Sequence, residues 1–199
     1  MITKDREYRH FQFSLAQREE GSEQEEMIVE GTPVVFDEPT VLYEMDGVEY
    51  KEIISKDAFK DADMSDVILN IDHEGKPAAK TRNKTLSLFV TDKEVRMWAD
   101  LSKNTTGREL CEDIRNGFYD KMSFAFSIAS SEYDATTHTR IITGIKKLYD
   151  VSAVSFPAYS QTSLSARSFF TAEAEKEKAE ALAKRKRLEL LANAIKIIS

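Results

Sequence analysis

The chain has 199 residues, of which 41% are hydrophobic and 10% aromatic, and its formal net charge is −7. This length fits one domain with an appendage, and the apolar content is sufficient for a hydrophobic core. The acidic balance argues against nucleic acid as the main ligand, because phosphate binding needs a basic surface. The single cysteine, Cys111, excludes an intrachain disulfide and a cysteine-based zinc site.

Charge is unevenly distributed along the chain. Residues 167–199 contain 8 Lys/Arg and 5 Asp/Glu, a net charge of +3, whereas residues 1–166 carry a net charge of −10. The same C-terminal segment lacks Gly and Pro and is rich in Ala, Glu, Lys and Leu, which favours a helix. We therefore expect a folded domain over residues 1–166 and a charged helical tail over residues 167–199.

The beginning of the chain is charged, and no long apolar run occurs in the sequence. These features predict neither a secretory signal nor a membrane-spanning segment. We expect a cytoplasmic protein without a membrane partner.

Period-two alternation of apolar and polar residues predicts mostly strands in the body of the chain. In chain order the predicted strands cover residues 10–15, 27–36, 48–54, 66–71, 85–91, 94–101, 120–130, 140–146 and 147–156. Gly31 and Pro33 indicate a bulge or an edge position in the second strand. The polar segment 72–77, which contains Gly and Pro, predicts a loop.

Two short helices interrupt the predicted strands. The first covers residues 55–61, and the second covers residues 105–116, where Leu110, Cys111 and Ile114 share one face. Strands this numerous, joined by short turns, favour a mainly β (α+β) fold. We expect a closed or nearly closed β-barrel of about seven to eight strands with a few surrounding helices, followed by a C-terminal helix.

An apolar seam runs along the predicted C-terminal helix. Leu188, Leu191, Ile195 and Ile198 recur at spacings of three and four residues. The residues leave two interpretations open. In the first, the helix docks onto the body or remains solvated. In the second, it pairs with a partner chain.

Any imidazole base must be one of three histidines, which are His10, His73 and His138. His138 falls in a predicted hairpin tip and His10 in the first strand, whereas His73 follows a strongly apolar strand and opens a loop. Working groups are often presented at such strand exits. His73 is therefore the best candidate for a general base, which a serine nucleophile requires.

Ser123 and Asp150 are the candidates for the nucleophile and for the acid that orients the base. Ser123 lies on an aromatic strand, on the face opposite Met122 and Phe124. Asp150 lies in an otherwise apolar strand, where aspartate is depleted. Spacing alone also allows Ser123 to be a small filler, because no GxSxG motif is present, and Asp150 to be a surface charge.

Several segments in order along residues 10–167 resemble the prohead proteases of tailed bacteriophages, which are similar in fold to the herpesvirus capsid-maturation protease. The segments are GTPVVF at 31–36, YKEII at 50–54, LNIDH at 69–73, TTGREL at 105–110, MSFAF at 122–126 and LYDVSAVSFPAY at 148–159. No single segment is specific, but their joint order covers most of the chain. Ala125 is a departure, because the family often has Gly after the Ser-Phe pair.

This resemblance implies a triad of His73, Ser123 and Asp150, with Asp150 at a position where many relatives have Glu and the herpesvirus enzymes have a second His. It implies a serine endopeptidase that needs no cofactor and no metal, and that cleaves the phage major capsid protein, its scaffold region and itself. Residues 17–26 and 160–171 are expected self-cleavage sites. The resemblance further implies action inside the immature prohead in the host cytoplasm, and self-association as a dimer or larger assembly.

Three other functions are compatible with parts of the sequence. A non-catalytic capsid assembly or scaffolding module would act through the C-terminal helix. A cysteine hydrolase would use Cys111, but that residue falls on the apolar face of a predicted helix, where an inert thiol is expected. A metal hydrolase would use Asp72, His73 and Glu74, but adjacent residues do not converge easily on one ion.

Overall fold

The computed structural model describes residues 6–15, 27–155 and 159–198, with side chains of the last segment described over residues 166–190. Strands account for 49% of the chain, so the fold is mainly β, as predicted. The strands are β1 (Glu7–Phe11), β2 (Phe13–Leu15), β3 (Ile28–Val35), β4 (Thr40–Met45), β5 (Val48–Ile54), β6 (Ile68–Ile71), β7 (Glu74–Lys80), β8 (Leu86–Val90), β9 (Glu94–Asp100), β10 (Met122–Asp134) and β11 (Thr139–Ala153).

The helices are α1 (Thr105–Arg115) and the long C-terminal α2 (Tyr159–Ile198), with three short 3-10 helices at Lys56–Phe59, Thr81–Asn83 and Leu101–Lys103. Asn104 caps α1, because its side chain accepts a hydrogen bond from Gly107 N at 2.7 Å. The C-terminal helix is therefore confirmed. It begins at Tyr159, earlier than the sequence composition suggests.

The strands form two sheets. The seven-stranded sheet has the order β1-β10-β11-β5-β4, with β6 pairing with β11 and β7 pairing with β6; the four-stranded sheet has the order β2-β3-β9-β8. Among the described residues no hydrogen-bonded ladder closes either sheet on itself, so the barrel stays a prediction. No helix in the described ranges is long and apolar enough to cross a membrane.

Two local features of the strands differ from simple alternation. The bulge predicted in the second strand is present, as a shift of register between Gly31 and Val34 where β3 pairs with β9. The predicted loop over residues 72–77 is mostly strand β7 instead, because only Asp72 and His73 form the turn. Pro77 is tolerated there because β7 pairs with β6 alone.

One hydrophobic core fills the space beneath the sheets. Its largest fully buried side chains include Phe124, Phe126, Met122, Leu69 and Leu110. These residues place β10, β6 and α1 against one another. Burial of each such side chain stabilises the fold by roughly 1.5–3 kcal/mol, so the central strands provide a rigid base for the polar residues on their other face.

Helix α2 docks onto the body through its N-terminal half. Phe170 and Ala166 are buried in a second apolar cluster with Tyr50, and Phe170 also contacts Tyr43 and Tyr133. Further along, Leu182, Leu188 and Leu190 are 54%, 58% and 70% exposed. The side chains of Leu191, Ile195 and Ile198, the rest of the predicted seam, lie outside the described part of the chain, as do residues 17–26.

Candidate active site

Four polar residues form a row across the seven-stranded sheet. His10 on β1 lies opposite Ser123 on β10, Ser123 lies opposite Ser152 on β11, and Ser152 lies opposite Asn70 on β6. Directly opposite residues in neighbouring strands project from the same face. The strand register therefore gathers these four side chains into one row, although they come from distant parts of the sequence.

His73 lies at the end of this row, in the tight turn that joins β6 to β7. The turn consists of Asp72 and His73, with φ angles of 48° and 60°, and Ile71 pairs with Glu74 on either side of it. Two central residues with positive φ define the two-residue hairpin turn that matches strand twist. Each non-glycine residue in this conformation costs on the order of 1–3 kcal/mol, and such strain concentrates at functional sites.

Hydrogen bonds to the end of β11 and the residues after it offset this strain. Asp72 N donates to Ala153 O at 2.9 Å, and the Asp72 carboxylate accepts from Ser155 N at 2.9 Å and from Ser155 Oγ at 2.8 Å. His73 N donates to Ser152 Oγ at 3.2 Å. Four hydrogen bonds thus hold the turn that carries His73 against the end of β11 and the residues after it.

Asp150 meets the imidazole of His73 directly. Its Oδ1 lies 2.5 Å from His73 Nδ1, and the side chains are 6% and 15% exposed. Arg6 Nη1 lies 3.9 Å from the other carboxylate oxygen of Asp150. A carboxylate in this position accepts the Nδ1 proton, which leaves Nε2 of the neutral ring as the acceptor. The structure therefore brings together the predicted base and the predicted orienting acid.

Ser123 Oγ and His73 Nε2 do not share a hydrogen bond. Both atoms are buried, and neither has a hydrogen-bond partner among the described residues. Buried polar atoms without partners are uncommon in folded proteins, and the bond between nucleophile and base is often long before substrate binds. These two atoms are the ones that a serine hydrolase would use.

Tyr8 packs against the other side of the imidazole. Its ring lies 4.7 Å from the His73 ring in an edge-on arrangement. Burial raises the pKa of the Tyr8 hydroxyl above its ordinary value of 10.0, with Asp150 adding to the effect and Arg6 opposing it. The uncharged Tyr8 side chain thus packs against the imidazole and fixes the plane of the His73 ring.

A cavity of about 360 Å³ opens beside the row. Its lining includes His10, Lys121, Phe124 and Glu52. None of Ser123, His73 and Asp150 lines this cavity, and Phe124, which does, projects from the face of β10 opposite Ser123.

Sequence reasoning did not identify Ser152, Asn70 and Tyr8 as parts of this site, and it placed His10 in the first strand without a role. One available signal was the spacing of Ser152 two positions after Asp150, which puts both residues on one face of a strand. The contacts of Asn70 and Tyr8 depend on strand register, which no local pattern reveals. Cys111 is fully buried, and the Asp72 carboxylate is bonded to Ser155.

Comparisons with known proteins found two matches. A family model described as caudovirus prohead serine protease matches residues 13–177. Among solved structures, the capsid assembly protease gp21 of bacteriophage T4 is similar, with 14% sequence identity, a TM-score of 0.47, and coverage of 76% of this chain and 99% of that chain. No curated protein matches the chain.

Proposed function

The chain belongs to the caudovirus prohead serine protease family, and on that premise we propose that it is an endopeptidase with Ser123, His73 and Asp150 as its catalytic triad. The observation that carries the proposal is the 2.5 Å contact between His73 Nδ1 and Asp150 Oδ1. It leaves His73 Nε2 as the basic atom on the face of the sheet where Ser123 lies.

In the proposed mechanism, Ser123 Oγ attacks the carbonyl carbon of the scissile peptide bond while His73 Nε2 takes its proton. Asp150 holds the ring in the required tautomer and stabilises the imidazolium that forms. His73 then gives the proton to the leaving amine, and a water molecule hydrolyses the acyl-enzyme with His73 again acting as base. Backbone amides would stabilise the oxyanion.

Substrate binding would bring Ser123 Oγ within hydrogen-bond distance of His73 Nε2. Both atoms are buried and lack hydrogen-bond partners in the described ranges, which is consistent with a site that tightens in the Michaelis complex.

The proposed substrates are the phage major capsid protein, its scaffold region and the protease itself, cleaved inside the prohead in the host cytoplasm. The sheets would form the predicted barrel over residues 1–166, and residues 167–199 would serve packaging or self-association. Residues 160–171, one predicted self-cleavage site, fall in α2, so cleavage there requires the helix to unwind. The other predicted site, residues 17–26, lies outside the described residues.

The experiment compares Ser123→Ala with Ser127→Ala in cells that co-express the capsid protein. Both serines are buried on β10, but Ser127 lies four residues further along the strand, and its Oγ accepts a hydrogen bond from Tyr149. We expect Ser123→Ala to fold and to leave the scaffold region uncleaved, and Ser127→Ala to cleave it. Normal cleavage by folded Ser123→Ala would exclude Ser123 as the nucleophile.

A serine-reactive phosphonate separates this function from a non-catalytic assembly module. The proposal predicts covalent labelling at Ser123 in the wild-type protein and none in Ser123→Ala. An assembly module would give no labelling in either protein.

A further inference from the structure

We propose that Ser152 is a positioning residue of this site, whose hydroxyl fixes His73 and Asp150 in register with each other. The inference rests on the proposed function, because it assigns a role within the triad. It extends that function by adding a fourth side chain, one that touches neither the substrate nor the reacting atoms.

The Ser152 hydroxyl contacts the two atoms that form the hydrogen bond between His73 and Asp150. Its Oγ lies 3.0 Å from Asp150 Oδ1 and 3.1 Å from His73 Nδ1. It also accepts a hydrogen bond from the backbone N–H of His73 at 3.2 Å. One hydroxyl therefore holds the backbone of the base and the carboxylate that orients its ring.

Asn70 completes the hydrogen bonding of this hydroxyl. In the structure Ser152 Oγ faces Asn70 Oδ1 on the neighbouring strand β6 and is hydrogen-bonded to it as the donor. A hydroxyl has one proton and two acceptor positions, and turning an amide by 180° exchanges its oxygen and nitrogen at nearly the same place. With Asn70 Nδ2 donating, Ser152 accepts from Asn70 and from His73 N and donates its only proton to Asp150.

The position of Ser152 in the sheet gives these contacts their rigidity. It is 0% exposed and lies in a central strand, opposite Ser123 on one side and Asn70 on the other. A short side chain in a paired strand has little freedom to move. By contrast, His73 is carried by a tight turn, and its ring can rotate about two side-chain bonds. Through its hydrogen bonds, Ser152 restrains the His73 ring relative to the sheet.

The test compares Ser152→Ala with wild type, and Ser127→Ala serves as the matched buried serine. We expect Ser152→Ala to lower kcat/KM by about 10- to 100-fold, the effect of one hydrogen bond to a charged group, mainly in kcat. We also expect the proton NMR resonance of His73 Nδ1–H to shift upfield or broaden. Loss of packing alone would change thermal stability but would not move that resonance in the folded protein.

Failure of this inference is distinguishable from failure of the proposed function. Absence of phosphonate labelling at Ser123 in wild type would overturn both. Labelling of wild type and Ser152→Ala at equal rates, with an unchanged Nδ1–H resonance, would overturn the role of Ser152 alone. If Ser152→Ala does not fold, two other variants are compared. Ser152→Thr keeps the hydroxyl, and Ser152→Cys replaces it with a thiol. Equal kcat/KM for these two would overturn the inference, and retention by Ser152→Thr alone would support it.

Discussion

Asp150 Oδ1 lies 2.5 Å from His73 Nδ1, although 77 positions separate the two residues in the chain. Strand β6 brings them together, because it pairs in parallel with the end of β11, with Ile68 opposite Asp150 and Ile71 opposite Ala153. The turn that carries His73 therefore lies directly beside β11, the strand that carries Asp150. A change that shifts this ladder by one residue would separate the pair.

Replacing Asp150 by Asn should remove most of the peptidase activity while the fold is kept. Asparagine matches aspartate in size but lacks the charge that stabilises the imidazolium, and its amide can hold the wrong tautomer of His73. We expect kcat/KM to fall by about 10³- to 10⁴-fold. Steady-state hydrolysis of a peptide from the capsid protein measures this change.

Asp150→Glu is the matched control for that prediction, because it keeps the charge and adds one methylene. Asp150 Oδ1 already lies 2.5 Å from His73 Nδ1, so the longer side chain must bend to fit. We therefore expect a kcat/KM between that of wild type and that of Asp150→Asn. Full activity of folded Asp150→Asn would show that the carboxylate has no part in the reaction.

Exchanging either histidine beside Ser123 for Gln should give two different kinetic effects. His73 is held by Asp150 and by Tyr8, whereas His10 lies opposite Ser123 in the pairing of β1 with β10. We expect His73→Gln to lower kcat by at least about 10⁴-fold, and His10→Gln to act mainly on KM. The reverse pattern would identify His10 as the base.

Glu7 should contribute to stability in a pH-dependent way. On β1 its carboxylate lies 3.1 Å from Arg9 Nη2 and 2.9 Å from Arg140 Nη1. Burial raises the pKa of Glu7, but the charges and hydrogen bonds of Arg9 and Arg140 outweigh it and hold the pKa below its ordinary value of 4.5. Glu7 thus favours the folded state above about pH 4.5, and this contribution is lost as the pH falls through its folded pKa.

Glu7→Gln isolates this effect, because every other group is common to both proteins. We expect the variant to be less stable than wild type by about 1–3 kcal/mol at pH 7, with a difference that shrinks as the pH drops below 4.5. Urea unfolding at a series of pH values measures it. A difference that is constant from pH 7 to pH 3 would contradict the assigned pKa direction.

The sequence predicted the mainly β fold, the bulge in β3 and the C-terminal helix, because alternation, glycine placement and composition are local signals. It also singled out His73 and Asp150, which the structure brings into contact. It failed at β7, where a two-residue turn at Asp72 and His73 replaces the predicted loop. It missed Ser152, although this residue stands two positions after Asp150, because its contacts with His73 and Asn70 depend on the pairing of β11 with β6. Register between distant strands is a tertiary property that no window of sequence contains.

The tail allows a test that separates catalysis from assembly. Phe170 is buried against Tyr43, Tyr50 and Tyr133, and Glu177 is hydrogen-bonded to Tyr133. Deletion of residues 179–199 therefore leaves the docked part of α2 in place. We expect the shortened protein to hydrolyse peptide with kcat/KM within about twofold of wild type, since nothing in the triad depends on the tail. We expect less of it to be incorporated into proheads.

Leu188→Glu is a finer version of this test. Leu188 is 58% exposed, so the substitution should leave the melting temperature nearly unchanged, while a charge in the apolar seam should weaken pairing with a partner helix. Quantification of protease in purified proheads measures incorporation. Wild-type incorporation of both the deletion and Leu188→Glu would assign the tail no role in packaging, whereas loss in both with intact peptidase activity would place the partner surface on the exposed face of α2.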